Sequence, residues 1–202
     1  MYPHKTPILV QRFFKDVLWR KSGTEKVLYL TFDDGPKVGV TEWVLDKLDQ
    51  YNAKATFFCV GNNVLKYPEL YARLLESGHS VGNHSFNHLN GWKTDFDKYI
   101  QNIEQAADCI DSNYYRPPYG KLTWKQYQFL KDKYKIVMWD VVAGDFDTTI
   151  TKEQCYQAIK KHSKPGSIIV LHDNIRHMER MKYCVEKTLE DFSGEGYSFG
   201  VL

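Results

Sequence analysis

No run in this 202-residue chain approaches the roughly eighteen consecutive apolar residues that a membrane-crossing helix requires, so no span is expected. The opening Met1-Tyr2-Pro3-His4-Lys5 has no long apolar stretch of the kind that marks an export signal. The default expectation for the compartment is the cytoplasm, although a trimmed chain would look the same. Charge of one sign is also lacking: 27 Lys and Arg against 25 Asp and Glu leave +2. That balance calls for neither nucleic acid nor an anionic membrane as partner. The four cysteines, Cys59, Cys109, Cys155 and Cys184, include no close pair of metal-ligand spacing. They read as reduced thiols, with Cys59 and Cys109 in the core and disulfides the lesser alternative that an even count leaves open. Internal repeats, low-complexity stretches and linkers are missing too, which favours one domain.

What is present is a chain with 43% apolar residues, enough for one sizeable core, arranged as strands alternating with helices. Pro7 to Trp19 carries Ile8, Leu9, Val10, Phe13, Phe14, Val17 and Leu18, and is expected to cover one end of that core. Val27 to Phe32 is the first strand, and Val40, Val44, Leu48 and Tyr51 then recur at helical spacing. Ala55–Val60, Ser80–Asn83, Tyr114–Arg116, Lys135–Trp139, Ser167–Leu171 and Tyr197–Leu202 are further strand candidates. Between them Pro68 opens a helix that runs to Gly78, and Thr94 or Asp95 caps another that carries Phe96, Ile100, Ile103, Ala107 and Ile110. Thr123 with Gln126 and Thr151 with Gln154 form capping boxes, and Met178, Met181, Val185 and Leu189 mark the last helix. Alternation of this kind predicts an α/β fold with mostly parallel strands.

The polar residues gather where apolar runs end: Asp33 and Asp34, His84, Arg116, Asp140 and Asp145, His172 and Asp173. Polar groups at the C-terminal ends of several strands are what a β/α barrel uses for its site. The chain is short for eight full units, so an irregular, distorted TIM-like (β/α)7 to (β/α)8 barrel is expected. Thr31-Phe32-Asp33-Asp34-Gly35-Pro36 delivers two adjacent carboxylates to a strand mouth, where a plain turn is the ordinary alternative. His84 and His88 stand four apart, and on a helical turn that spacing would let both imidazoles share a metal. Ser85 follows the first His where a zincin would have Glu, so a hydrolytic base would have to be Asp33 or Asp34. His172 enters the same mouth as a second acid–base candidate, with Asp145 or Asp140 to fix its tautomer. Arg116 could keep Asp33 ionised, and the rigid Pro117-Pro118 turn could aim the Tyr119 N–H at developing negative charge. Asn174 to Arg180, with Arg176, His177 and Arg180, reads as a solvated face in preference to an anionic rim.

These residues resemble the polysaccharide deacetylase family, also known as carbohydrate esterase family 4 or the NodB-homology domain, through five motifs in the family's order. The likeness runs from about Val27 to the C-terminus and implies residues 27–202 as the catalytic domain, with 1–26 packed on its barrel. Thr31-Phe32-Asp33-Asp34-Gly35 implies Asp33 as catalytic base and Asp34 as metal ligand, and His84-Ser85-Phe86-Asn87-His88 supplies the other two ligands. Arg116-Pro117-Pro118-Tyr119-Gly120 implies that Arg116 orients Asp33 and that the Tyr119 amide is the oxyanion donor. Asp145-Phe146 stands where the family usually has Asp-Trp, so Asp145 would orient His172 and Phe146 would replace the usual acetyl-pocket wall. Leu171-His172-Asp173 implies His172 as general acid, with Leu171 lining the methyl pocket.

The resemblance also implies a divalent metal, Zn²⁺ by family habit with Co²⁺ or another ion as alternatives. Its activity would be hydrolytic removal of acetyl from N-acetylated, or O-acetylated, carbohydrate: an oligo- or polysaccharide or a smaller sugar. A non-catalytic carbohydrate-binding or structural protein on the same scaffold would be expected to lack Asp33 or His172. A two-metal phosphoesterase would need more ligands than can be assembled here. A small-molecule amidase stays open as an alternative. Trp92, Tyr119 and Trp124 are candidates for stacking on sugars or for packing.

Overall fold

The computed structural model describes residues 3–202; Met1 and Tyr2 of the predicted N-terminal segment lie outside them. Strands β1 (Val27–Asp33), β2 (Thr56–Cys59), β3 (Ser80–Asn83), β4 (Tyr114–Tyr115) and β5 (Lys135–Ile136) are neighbours in space as in sequence, all parallel. On the other side of β1 lie β7 (Ile168–His172) and then β6 (Val141–Val142), also parallel, while β8 (Ser198–Phe199) pairs with the start of β1. The order 5-4-3-2-1-7-6 is that of a curled, distorted TIM-like barrel.

The two ends of that order belong to one stretch of chain. Along 135–142 the backbone changes partners: Val137 N–H donates to Tyr115 O at 2.8 Å, and Ala143 N–H donates to Val170 O at 3.2 Å. The strand expected over Lys135–Trp139 is therefore shorter, and 141–142 forms a strand that periodicity did not predict. Met138, at the changeover, donates instead to Leu18 O at 2.9 Å.

Helices α2 (Thr41–Gln50), α4 (Pro68–Glu76), α5 (Phe96–Ala107), α6 (Trp124–Leu130), α7 (Lys152–His162) and α8 (Met178–Gly194) form where they were expected. However, Tyr51, Leu75, Ala107 and Trp124, placed on their apolar faces, are exposed, and on α5 Ala106 is buried in place of Ala107. Both capping boxes form, each with the Thr hydroxyl accepting from the Gln N–H and the Gln amide oxygen accepting in return. A short α3 (Gly61–Lys66) was not expected; its six residues are too few to show a period. Among the described residues no helix is long and apolar enough to cross a membrane.

Strand pleating sorts the side chains. Leu28, Leu30 and Phe32 of β1 face the helices and join the main core with Val44, Leu48, Val185 and Leu189. Full burial of side chains this size contributes about 1.5–3 kcal/mol each, so the sheet–helix layer holds the barrel together. The alternate residues Tyr29, Thr31 and Asp33 point the other way, and that places Asp33 at the barrel mouth.

The N-terminal segment differs from expectation. Its helix α1 (Ile8–Phe13) buries no residue, and Ile8, Leu9 and Phe13 are exposed; Val17 and Trp19 are the buried members. Backbone bonds tie the segment down, with Thr6 N–H donating to Asp140 O at 3.0 Å and Leu18 N–H to Ile136 O at 2.8 Å. Among the cysteines, Cys59, Cys155 and Cys184 are buried, whereas Cys109, expected in the core, is only partly so.

Candidate active site

Register brings the first pair together. β1 and β7 are parallel with Asp33 beside His172, so a carboxylate and an imidazole share the C-terminal edge of the sheet. β3 ends at Asn83, and the chain then turns through His84 to His88 in a loop, not the helical turn that the four-residue spacing suggested. Ser85 (φ 61°) and His88 (φ 56°) adopt left-handed backbone. Asparagines pin this loop: Asn83 Oδ1 accepts from Ser85 N–H at 2.8 Å, and Asn102 Oδ1 on α5 accepts from Asn87 N–H at 3.0 Å. Asn102 lay outside the sequence reading because it looks like any polar residue on a helix.

The loop sets His84 and His88 against Asp34. Their ligand atoms and an Asp34 carboxylate oxygen lie within 4.8 Å of one another. His84 Nδ1–H donates to Arg116 O at 2.8 Å, which leaves Nε2 as the lone-pair nitrogen, 3.8 Å from Asp34 Oδ1. Burial holds the His84 pKa down at about 4, so its imidazole is neutral, as a ligand must be. Asp34 is fixed by Asn174 Nδ2, which donates to Oδ2 at 3.0 Å, and by Asn63 Nδ2, which donates to its backbone O at 2.7 Å. Burial works to raise the Asp34 pKa, but the contact with His88 and the charge of His172 outweigh it and hold the carboxyl well below its usual range.

Asp34 Oδ1 is buried, and although His88 Nε2 stands 3.1 Å away it receives no hydrogen bond of acceptable geometry. An orphaned carboxylate oxygen facing two imidazoles fits a divalent cation, and two nitrogens plus one oxygen form a three-ligand set with room for a further ligand.

Around this triad the remaining predicted residues take distinct places. Arg116 is fully buried and forks: Nη1 donates to Asp33 Oδ1 at 2.7 Å and Thr31 Oγ1 at 2.7 Å, Nη2 to Met138 O at 3.0 Å. Its guanidinium lies 4.0 Å from the centroid of the Phe58 ring. Asp145 grips His172 twice, accepting from the backbone N–H at 2.8 Å and from Nδ1 at 2.9 Å. Burial would lower the His172 pKa, but the Asp145 charge and hydrogen bond, with Asp34 and Asp33 behind, push it up to about 10.

Asp140, the alternative partner, is elsewhere: its carboxylate accepts from Ser167 Oγ and Ile168 N–H, each at 3.0 Å. Asp173 is a buried prop. Thr41 Oγ1 donates to it, and its Oδ2 comes so near Gly35 that a Cβ there would meet it at 2.1 Å. That close approach is why position 35 must be glycine.

The cleft over these groups encloses about 590 Å³ and is lined by Asp33, Asp34, His84, His88, Tyr119, Phe146 and His172 among others. Tyr119 (φ 61°) sets its ring edge-on to His88, centroids 4.7 Å apart, and Phe146 packs edge-on to His172 at 5.3 Å. Leu171 is not at the cleft. It is fully buried in the sheet–helix core, and Val170, which shares the inward face with His172, lines the cavity in its place. The two-residue pleat decides this, and it was legible in the sequence.

The stretch from Asn174 to Arg180 is more than a solvated face. Arg180 Nε donates to Asp145 O at 2.8 Å, and His177 lines the cleft with its ring 6.1 Å from that of His172.

Known proteins resemble this chain in sequence and fold. The polysaccharide deacetylase family model matches residues 20–135, more than half of the chain. A peptidoglycan-N-acetylglucosamine deacetylase of Bacillus cereus is 32% identical over 181 residues, covering 86% of this chain and 66%, just under two thirds, of that protein. The peptidoglycan-N-acetylmuramic acid deacetylase PdaA of Bacillus subtilis is 29% identical over 203 residues, covering 95% of this chain and 74% of its own. Among solved structures, the Bc1960 peptidoglycan N-acetylglucosamine deacetylase in complex with 4-naphthalen-1-yl-N-oxidanyl-benzamide superposes with a TM-score of 0.88 at 29% identity. That match covers 98% of this chain and 95% of the other. The chain belongs to the polysaccharide deacetylase family, and its site is that of a metal-dependent, amide-hydrolysing deacetylase.

Proposed function

We propose that the protein removes acetyl groups from N-acetylated amino sugars in an oligo- or polysaccharide, with Zn²⁺ as its metal. The observation that carries this is the meeting of three elements in one cleft: the Asp34-His84-His88 cluster, the Arg116-held Asp33, and the Asp145-held His172. Two imidazoles and one carboxylate suit zinc over the harder, oxygen-preferring cations. The names of the relatives, deacetylases of peptidoglycan amino sugars, support an acetylated sugar as substrate. A bound zinc ion supplies Lewis acidity toward an amide carbonyl and makes water more acidic.

Asp33 takes the proton from the attacking water, with Arg116 holding the carboxylate toward the cleft. We assign the Tyr119 N–H to the developing oxyanion, supported by its place beside His88 on a rigid left-handed turn. His172, protonated, gives its proton to the departing amine as the C–N bond breaks, leaving acetate and a free amino sugar. Phe146 and Val170 form the apolar wall beside the acetyl methyl. No acyl-enzyme is needed.

The test is acetate release from N-acetylated chitooligosaccharides, peptidoglycan fragments and O-acetylated xylan, before chelation, after it, and after Zn²⁺ is restored. Release should vanish on chelation, return with Zn²⁺ and favour the N-acetylated substrates. Zinc binding without turnover of any acetylated sugar would show the substrate class to be wrong.

A second expectation concerns pH. Asp145 raises the His172 pKa, so Asp145→Asn lowers it, and the protonated acid is lost at lower pH. The alkaline limb of kcat/KM should move down by about one pH unit or more, since losing a neighbouring charge and its hydrogen bond has effects of that size. A bound cation would offset the Asp34 charge and so lower the wild-type limb as well, which is why the variant is compared with wild type under the same zinc loading. A limb that stays in place in the variant would rule His172 out as the acid.

A further inference from the structure

Beside the catalytic cleft, under α1 and α6, lies a second cavity of about 420 Å³. Val10, Trp19, Gly120 and Met138 border both, so the two adjoin. No charged side chain lines the second one.

Its polar side chains are already engaged within the protein. Trp19 Nε1 donates to Phe14 O at 3.0 Å and Trp92 Nε1 to Leu122 O at 3.0 Å; Thr123 Oγ1 accepts from Gln126 N–H at 3.3 Å, and Tyr127 Oη donates to Asp16 Oδ2 at 3.3 Å. What remains is the Thr123 hydroxyl proton, the Tyr127 hydroxyl lone pairs and the indole N–H of Trp124, a residue that is 61% exposed. A sugar entering here could stack on Trp92 or Trp124 but would strip water from several hydroxyls and find few hydrogen-bond partners in exchange. An alkyl or aryl group loses nothing of that kind and gains contact with aliphatic and aromatic walls.

We infer that this cavity receives an apolar group, alkyl or aryl, carried by the acetylated sugar whose amide lies in the adjoining cleft. The inference rests on the deacetylase reading above and narrows its substrate class to amino sugars with an apolar aglycone. A glycan without such a group fills the first cavity and leaves the second to solvent.

The experiment compares the octyl and methyl glycosides of N,N′-diacetylchitobiose as substrates of the zinc-loaded protein. It also titrates the fluorescent probe N-phenyl-1-naphthylamine. Both are repeated in Leu122→Trp, which fills the cavity, and in Trp124→Ala, which strips a wall from an exposed position. The octyl glycoside should show a KM at least tenfold below that of the methyl glycoside. In Leu122→Trp the gap should fall below threefold with kcat for the methyl glycoside unchanged, and probe affinity should drop about tenfold. Trp124→Ala should narrow the gap as well, so the reading does not hang on one variant's folding.

Turnover with equal KM for both glycosides overturns the inference alone. So does a gap that persists in both folded variants. Probe binding lost in Leu122→Trp alongside equal KM values points to a separate apolar ligand and overturns the substrate assignment. No turnover of any acetylated sugar overturns the deacetylase reading, and this inference with it.

Discussion

Asp33→Asn will keep its metal and lose acetate release by about 10³-fold in kcat, within the range that removing a general base costs. The substitution is close to isosteric, and the amide oxygen can still accept from Arg116 Nη1, now 2.7 Å from Oδ1. What it cannot do is take up a proton. Asp34 and His84 hold their places through Asn174, Asn63 and the Arg116 carbonyl, and Asn102 pins the loop that carries His88; none of these groups bonds to the Asp33 side chain. Metal content by elemental analysis should therefore match the wild type while KM changes little. A metal-replete variant running within tenfold of the wild-type rate would show that another group takes the water's proton. Loss of metal together with activity would show that Asp33 belongs to the ligand set.

Arg116→Leu will unfold more easily by about 3–5 kcal/mol, the usual cost of leaving one member of a buried ion pair without its partner. Arg116 and Asp33 are both buried, at 0% and 3% exposure, so solvent cannot take over the lost charge. The Met138 carbonyl and the Thr31 hydroxyl lose a donor as well. Leucine would fill much of the volume under Phe58, so packing loss is a minor part of the effect. Urea melts of the chelated proteins measure this without interference from metal binding. Arg116→Lys separates charge from geometry: one ammonium can meet Asp33, but it cannot reach Met138 O through a rigid fork, so recovery should be partial. Equal midpoints for wild type and Arg116→Leu would mean that Asp33 is not held as a buried anion.

Much of the fold and of the site is legible in the sequence. The barrel follows from alternation, and each capping box announced its helix through two residues three apart. The five motifs placed Asp33, Asp34, His84, His88, Arg116 and His172 in one site, and the register of β1 with β7 explains why the first and last motifs meet. Other features had no local signal. Four of the five described non-glycine residues with positive φ, namely Asp34, Ser85, His88 and Tyr119, are in the site. Nothing in residue type announces such backbone, because the surrounding structure imposes it. The helical turn expected for His84 and His88 failed for that reason. Leu171 was misplaced by reading the motif as a unit when the pleat already assigned the inward face to Val170 and His172. The strand expected over Lys135–Trp139 wrongly took in Met138 and Trp139 and left out Val141–Val142, because a segment that serves two neighbours in turn shows the period of neither.

That changeover segment gives the scaffold a place to vary. Met138 and Trp139 wall the cleft, yet their backbone oxygens are used by the Arg116 and Thr6 side chains, and Met138 N–H by Leu18. Neither residue is locked into a ladder whose register sets the distance from Asp33 to His172. Selection can therefore recut the groove at 138 and 139, widening it for one substrate or closing it against another, while the reacting groups keep their spacing. A library randomised at these two positions would sample substrate preference with the chemistry held constant.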